Sequence, residues 1–172
     1  MTNDTLVARA FLDYSMQKLA GEYWPRLRHC VESLTEEQLW WRPNEASNSI
    51  GNILLHLNGN VAQWILAGLG RRDRSRDRPS EFRRREPVAR AVLLEQLGAT
   101  VNEAARVIGA LSASDLTAPR TIQGYQVTGL EAVYHVVEHF GMHYGQIIFI
   151  TKQLRGSDLG FYSELDSTGR RE

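Results

Sequence analysis

Four long stretches of the chain carry apolar residues at the three- and four-residue spacing of an amphipathic helix, and this pattern constrains the fold most. The predicted helices run from about Thr5 to Glu32, from the Ser47-Asn48-Ser49 turn to Gly68, from about Pro87 to Leu111, and from Thr128 to about Gly156. No segment shows a convincing alternation of apolar and polar residues, which is the pattern of a half-buried strand. The sequence therefore predicts an all-α protein, specifically a four-helix bundle.

The segments between these helices carry prolines and turn-forming residues, and each is longer than the 2–8 residues typical of simple up-and-down bundles. This length favours at least one crossover connection. Pro25 lies inside the first predicted helix, where proline kinks or splits a helix. Because 172 residues is the size of one domain, we expect a single domain over residues 1–172. Its core spans about residues 5–155, and residues 156–172 form a flexible C-terminal tail.

The two halves of the chain show a weak internal sequence similarity. Residues 34–39 precede the second predicted helix and residues 111–116 precede the fourth, and both match L-[ST]-x-x-x-L. Each segment is typical of a single capped turn, in which Thr35 or Ser112 faces the polar residue three positions later. Such turns are common after helices. If they mark a true repeat, the second and fourth helices face each other.

Composition excludes several classes of protein. Lys and Arg, 20 in all, balance 20 Asp and Glu, so no global field attracts nucleic acid or an anionic membrane. Cys30 is the only cysteine, which excludes an internal disulfide and fits a reducing compartment; we expect it to be a small buried hydrophobe.

The first twenty residues are amphipathic and hold no signal-peptide apolar block. No apolar stretch approaches the ~20 residues needed to cross a bilayer, so we expect a cytoplasmic protein without a membrane partner.

Three of the five histidines lie on the fourth predicted helix, at positions His135, His139 and His143. Residues four apart drift only about 40° around a helix, so the three imidazoles form one stripe. The residues that share this stripe are Ala132, Met142, Gln146 and Ile150. This composition is typical of a face that points into a core. Buried imidazoles without partners are costly, because each neutral ring carries a donor and an acceptor.

His56 lies within the apolar run Ile53–Leu57 of the second predicted helix and also needs a partner. A metal ion shared with two histidines of the fourth helix meets that need. Three neutral nitrogen ligands suit a divalent transition metal, with zinc or nickel favoured over iron or copper, and leave a position for water or substrate. The spacing alone does not choose which two of His135, His139 and His143 bind.

One competing pattern shares these residues. His135-Val136-Val137-Glu138-His139 matches H-x-x-E-H, in which both histidines bind zinc and the glutamate is the general base. That site needs a third ligand from a later helix, and only a short tail with acidic residues such as Asp158, Glu164 and Asp166 follows. The H-x-x-E-H pattern is therefore the weaker of the two metal hypotheses. The alternative to any metal site is that each buried histidine is a core residue with an ordinary hydrogen-bond partner, which is the more common case for a lone histidine.

The histidine segments resemble the DinB superfamily, a group of DinB/YfiT-like metalloproteins. The last long helix of that family carries H-x-x-x-H-x-G-Q, which matches His139–Gln146, and its second helix carries one ligand histidine, which matches His56 in Leu54–Leu57. The segment 40–52, with Trp-Trp-Arg-Pro and then Asn-Ser-Ile-Gly-Asn, is similar to the part that precedes the first ligand. The resemblance runs from about Leu34 to Leu154.

The resemblance implies an up-down-down-up bundle, frequent homodimers and a metal triad of His56, His139 and His143, with His135 one turn away. Members are assigned as metal-dependent hydrolases or thiol transferases. We therefore expect a metal-dependent enzyme in which the ion lowers the pKa of a bound water or of a substrate thiol. Its partner is then a small molecule, for example a low-molecular-weight thiol. Tyr144 stands where the family often has arginine.

Two other functions stay open. The bundle could be a non-catalytic, metal-stabilised dimeric interaction module. The segment 71–90 could bind nucleic acid, since it holds nine arginines against four acidic residues. Its aromatic content is limited to Phe82, so a solvated loop with Arg–carboxylate pairs is favoured over a nucleic-acid partner. No catalytic residue is identified: Glu138 is near the histidines, and Gln146 could orient a ligand or water.

Overall fold

The computed structural model describes residues 3–73, 75–165 and 169, and these residues are mostly helical. The helices are α1 (Asn3–Met16), α2 (Trp24–Glu32), α3 (Glu36–Trp40), α4 (Ile50–Val61), α5 (Arg78–Arg83), α6 (Arg90–Ala110), α7 (Ala113–Thr117) and α8 (Gly129–Arg155). Two π-helical segments, Gln17–Tyr23 and Ala62–Ala67, extend α1 into α2 and lengthen α4. Strands β1 (Pro119–Ile122) and β2 (Tyr125–Thr128) precede α8. The predicted helical class is confirmed, and the four long helical regions lie close to the predicted bounds.

Pro25 does not split the first predicted helix. The chain stays helical from α1 through α2, but the hydrogen bonding widens to the π pattern over Gln17–Tyr23, and Pro25 lies in the first turn of α2. Proline has no N–H, and its ring clashes with the carbonyl four residues earlier in a regular α-helix. A π-type turn directly ahead of the proline changes that spacing, which lets the helix continue.

The β1–β2 hairpin is a feature that the sequence analysis did not predict. The strands are antiparallel, and Pro119 pairs with Thr128. The turn residues Gln123 and Gly124 both have positive φ, 53° and 82°, as in the tight turns that match strand twist. Four-residue strands are too short to show a clear period. The hairpin also makes a tertiary contact, which its own sequence does not show: Ile122 is buried against Gly68, at the end of the α4 region.

Four reciprocal caps begin helices at corresponding places in the two halves. Thr35, Ser49, Ser112 and Thr128 each accept a hydrogen bond from the backbone N–H three residues later, and the side chain at that later position accepts from the cap backbone. The predicted capped turns are therefore α3 and α7, and each precedes a capped long helix that carries histidine. At the other end, Gly156 closes α8 in the left-handed conformation, with φ 64°.

The long helices bury one connected apolar core. The region α4 packs against α6 and α8, and α8 also packs against α2. Fully buried side chains of this core include Leu19, Leu27, Leu57, Ile65, Leu97, Ile108 and Phe140. The packing of α4 on α8 places His56 and the α8 histidines on helices that contact each other. This is the relation that the internal sequence similarity predicted.

The segment after α8 contacts the body of the protein. Leu159 is buried, and the ring of Phe161 lies 5.7 Å from that of His29 on α2. Residues 166–168 and 170–172 of the predicted flexible tail lie outside the described residues. Among the helices that are described, none combines the length and the apolar character that a bilayer crossing requires.

Candidate metal centre

Helices α4 and α8 bring three of the predicted ligands together. His56, His139 and His143 each offer one ring nitrogen, and these nitrogens lie within 4.8 Å of one another. The Nε2 atoms of His56 and His139 are 3.1 Å apart. The ring centroid of His143 lies 4.6 Å from that of His139 and 5.1 Å from that of His56. No other group of three or more metal-binding side chains occurs within residues 3–73, 75–165 and 169.

Local structure explains why these rings converge. The four-residue spacing of His139 and His143 puts both on the face of α8 that packs against α4. The Ser49 cap begins α4 at a defined residue, and His56 follows two turns later on a helix that is buried over most of its length. His56 is 3% exposed, whereas His139 and His143 are half-buried. The group is therefore shielded on the α4 side and accessible on the α8 side.

The environment of His56 determines which of its nitrogens carries the proton. Its Nδ1 lies 2.9 Å from Oε2 of Glu81, and Arg76 donates to both carboxylate oxygens, at 2.7 and 2.8 Å. Burial raises the pKa of Glu81, but the hydrogen bonds from Arg76 and His56 outweigh it and hold that pKa below its usual value. A carboxylate can only accept, so Nδ1 of His56 bears a hydrogen, and in the neutral ring the lone pair is then on Nε2.

The two histidines of α8 differ in their hydrogen bonding. Nδ1 of His143 donates to Oε1 of Gln146 at 2.8 Å, which leaves a lone pair on Nε2. Nδ1 of His139 is buried and has no hydrogen-bond partner among the described residues. Burial, together with the charges that His143 and His56 would carry, lowers the pKa of His139 to about 3, and burial also lowers that of His143. Both rings are therefore neutral at pH 7, which is the state that binds a metal ion.

This donor set fits a transition metal. With the protons of His56 and His143 held on Nδ1, each ring offers a lone pair on Nε2, and a single N–H from His139 satisfies only one of them. A cation accepts electron density from all three rings at once. Imidazole nitrogen suits zinc, nickel, iron or copper, whereas calcium and magnesium prefer the oxygen ligands that this group lacks.

His135 lies outside the group, although it shares the α8 stripe. Its Nε2 lies 3.4 Å from Nδ2 of Asn60, and its ring packs on Trp64 with centroids 4.0 Å apart. The competing H-x-x-E-H pattern needs His135 as a ligand and a third ligand from the tail. Asp158 instead pairs with Lys152 at 3.2 Å. Glu164 is not part of the described metal group, and Asp166 lies outside the described residues.

A cavity of about 490 Å³ borders the histidine group. Besides His56 and His139 it is lined by Asn60, Trp64, Arg78, Gln123, Tyr125 and His135. The rings of Trp64 and Tyr125 stack with centroids 6.3 Å apart, and the Trp64 indole donates to Oε1 of Gln123 at 3.2 Å. Oδ1 of Asn60 is buried without a hydrogen-bond partner among the described residues. The cavity thus offers an aromatic wall next to the histidines.

The arginine-rich segment 71–90 uses several of its charges within the protein. Arg76 is buried with Glu81, Arg72 pairs with Glu103, and Arg90 donates to a backbone carbonyl of the loop before α3. Arg78 lies over the ring of Phe82, 5.1 Å from its centroid. These contacts favour the interpretation of the segment as a packed connection over that of a nucleic-acid surface. The sequence analysis did not identify Arg76 and Glu81 as part of this site. The one indication of them in the sequence was that His56, within an apolar helix, needs a hydrogen-bond partner.

Known proteins resemble this chain both in sequence and in fold. The model of the DinB superfamily matches residues 21–147, a range that includes all three histidines of the group. The crystal structure of a DinB-like protein from Bacillus cereus ATCC 10987 is similar in fold, with a TM-score of 0.61 and 17% identity. The alignment covers 78% of this chain and 87% of that chain. No functionally curated protein matches the chain significantly. Because the family model spans well over half of its residues, the chain belongs to the DinB superfamily.

Proposed function

We propose that this protein is a metal-dependent enzyme, a hydrolase or a thiol S-transferase, in which His56, His139 and His143 hold a divalent transition metal. One observation carries the proposal: three imidazoles from two helices converge, and two of them, those of His56 and His139, line a cavity. Zinc and nickel are the favoured ions. We further propose that the long helices follow the up-down-down-up order that the family resemblance implies.

A metal ion held here would lower the pKa of a bound water or of a substrate thiol near neutral pH. The residues of the chain supply binding and orientation around it. Glu81 and Gln146 hold the rings of His56 and His143 through their Nδ1 atoms. Trp64 and Tyr125 offer an aromatic wall to a bound molecule. Glu131 also lines the cavity, but its carboxylate is occupied by the cap of α8.

The cavity volume of about 490 Å³ lies in the range of small-molecule sites. We therefore propose a small-molecule substrate, and a low-molecular-weight thiol is one candidate. Glu138 is exposed and does not line this cavity, so we assign it no catalytic role. Homodimer formation, which the family resemblance implied, stays a prediction that sedimentation velocity tests.

Metal reconstitution followed by activity screening tests the proposal. Protein loaded with Zn²⁺ or Ni²⁺ is assayed against esters, amides and thiol-transfer substrates, and its metal content is measured by elemental analysis. We expect His139→Ala to lose metal and turnover in parallel. The matched control is His29→Ala on α2, which should keep both.

Turnover that persists in His139→Ala without metal would contradict the proposal. A wild-type protein that binds no transition metal would contradict it as well. Metal binding without turnover on either substrate class would favour the non-catalytic, metal-stabilised interaction module instead.

A further inference from the structure

We propose that the buried Arg76–Glu81 pair is a positioning device for His56, which fixes the tautomer and orientation of that ring so that Nε2 faces the metal. Gly59 provides the space for the pair. The inference rests on the proposed metal site. It assigns the orientation of a metal ligand to two residues of the arginine-rich segment that are not ligands themselves.

The first step is the tautomer of His56. Oε2 of Glu81 accepts from Nδ1 at 2.9 Å. Nη2 of Arg76 also lies 3.1 Å from Nδ1, but a guanidinium cannot accept a hydrogen bond. Nη2 is in this place because it donates to Glu81 at 2.8 Å. The proton of His56 is therefore held on Nδ1, and the lone pair of Nε2 is directed at His139, 3.1 Å away.

The second step is that groups on the α4 region hold the Glu81 carboxylate in place. Arg76, which binds both oxygens of Glu81, also donates to Oε1 of Gln63 at 2.8 Å and to the backbone carbonyl of His56 at 3.4 Å. The backbone carbonyl of Glu81 accepts from Nδ2 of Asn52 at 2.9 Å. The orientation of the carboxylate is thus set by the same helix that carries His56. The ring of Phe82 adds a contact, with centroids 4.6 Å apart.

The third step is the glycine at position 59. A Cβ on Gly59 would lie 2.1 Å from Oε1 of Glu81 and 2.7 Å from Nε of Arg76. Glycine is unfavourable within a helix, and here the ion pair occupies the space that a side chain would need. The surface of α4 is therefore shaped to receive the pair one turn after His56.

The fourth step concerns stability. Buried ion pairs are often no more stabilising than apolar residues of similar volume, because both charges lose their hydration. The Arg76 and Glu81 side chains are less than one-tenth exposed. A buried pair at this place is better explained by its action on His56 than by stability alone. Carboxylate partners of metal-binding histidines fix the tautomer and raise the basicity of the ligand nitrogen in the same way.

The test compares Glu81→Gln with Glu103→Gln, which makes the same change in the Arg72–Glu103 pair of this protein. The first readout is Zn²⁺ affinity, measured by competition with a chromophoric chelator. We expect Glu81→Gln to weaken binding by about 10- to 100-fold and Glu103→Gln to leave it unchanged. The second readout is the tautomer of His56 in the metal-free protein, from ¹⁵N chemical shifts of its ring. The wild type should carry the proton on Nδ1, and Glu81→Gln should shift the population toward Nε2–H.

Gly59→Ala is the second variant, and it should reproduce both effects because its Cβ displaces the carboxylate. Unchanged affinity or an unchanged tautomer in Glu81→Gln would overturn the positioning role while leaving the metal site intact. If the wild type binds neither Zn²⁺ nor any other transition metal, the proposed function fails, and the tautomer readout alone then decides the role of the pair.

Discussion

At the scale of single residues, the same side-chain type behaves differently according to its surroundings. His56 is buried and has a partner on each ring nitrogen, whereas the ring of His29 on α2 packs edge-on against the ring of Phe161. Cys30 is fully buried, as the sequence predicted for a small hydrophobe. Glycines divide likewise into those with a close neighbour and those that face open space.

Burial raises the pKa of the Cys30 thiol to about 11, against 9.0 for an exposed thiol. Between these values the unfolded chain loses the thiol proton while the folded chain keeps it, so stability falls as the pH rises. We expect the wild type to lose about 2 kcal/mol more than Cys30→Ala between pH 8.5 and pH 11. Urea unfolding at both pH values measures the difference, and equal losses in the two proteins would refute the prediction.

Gly51 lies against Trp40, whose indole donates to the carbonyl of Val88 at 3.2 Å. A Cβ at position 51 would lie 2.7 Å from the indole ring, so we expect Gly51→Ala to destabilise the fold by about 1–3 kcal/mol. The control is Gly145→Ala on α8, where no atom lies within 4 Å; it should stabilise by about 0.5–1 kcal/mol. Denaturant unfolding checks both signs, and a neutral Gly51→Ala would show that Trp40 moves freely.

At the scale of elements, the start of α4 and the segment around α5 form one unit. Asn52 completes the cap of α4, and its Nδ2 donates to the backbone carbonyls of Glu81 and Arg84, at 2.9 and 3.1 Å. Glu81 in turn contacts His56. The helix cap, the docking of α5 and the candidate metal centre are therefore connected through a few buried groups.

Asn52→Ala removes the side-chain acceptor of the reciprocal cap and takes away the donor to the buried carbonyl of Glu81, whereas the Arg84 carbonyl still accepts from Arg85. We expect it to lower the free energy of unfolding by about 2–3 kcal/mol. Gln38→Ala removes the same cap position from α3 and leaves no such carbonyl, so it should cost only about 0.5–1 kcal/mol. Chemical denaturation of both variants provides the comparison. Equal effects would mean that Asn52 acts through the cap alone.

Metal binding should protect the segment that contains α5. Cleavage by trypsin after the exposed residues Arg83–Arg85 requires local opening of this segment, and a ligand that binds only the docked state makes such opening rarer. We expect Zn²⁺ to slow cleavage there several-fold in the wild type and to have no effect in His139→Ala. Mass spectrometry of early fragments locates the cut, and equal rates with and without Zn²⁺ would contradict the coupling.

At the scale of the whole molecule, the proposed ion links α4 to α8 across the core. A ligand present at 100 times its dissociation constant stabilises the native state by about 2.7 kcal/mol. For a chain of this size we expect a rise in Tm of about 5–10 °C on adding Zn²⁺ to the wild type. Differential scanning calorimetry should show no rise for His139→Ala, and a similar rise in that variant would place the ion elsewhere.

Much of the architecture could be predicted because it depends on local chemistry. The helix periods, the caps at Thr35, Ser49, Ser112 and Thr128, and the glycine that ends α8 all depend on residues within a few positions of one another. The histidine group was also foreseen, since a buried imidazole needs a partner wherever it lies. Choosing His139 and His143 over His135 required the family resemblance, because all three share one helix face.

The amino-acid pattern by itself determined the helical class, the position of most helix ends and the set of histidines from which a metal site could be built. Only the tertiary structure decided that Glu81 and Arg76 reach His56, that a short hairpin brings Tyr125 to the cavity, and that His135 packs on Trp64 instead of joining the group. The reason is physical. Periodicity and capping are short-range effects that repeat along the chain, whereas these contacts join side chains far apart in sequence and depend on how the helices pack.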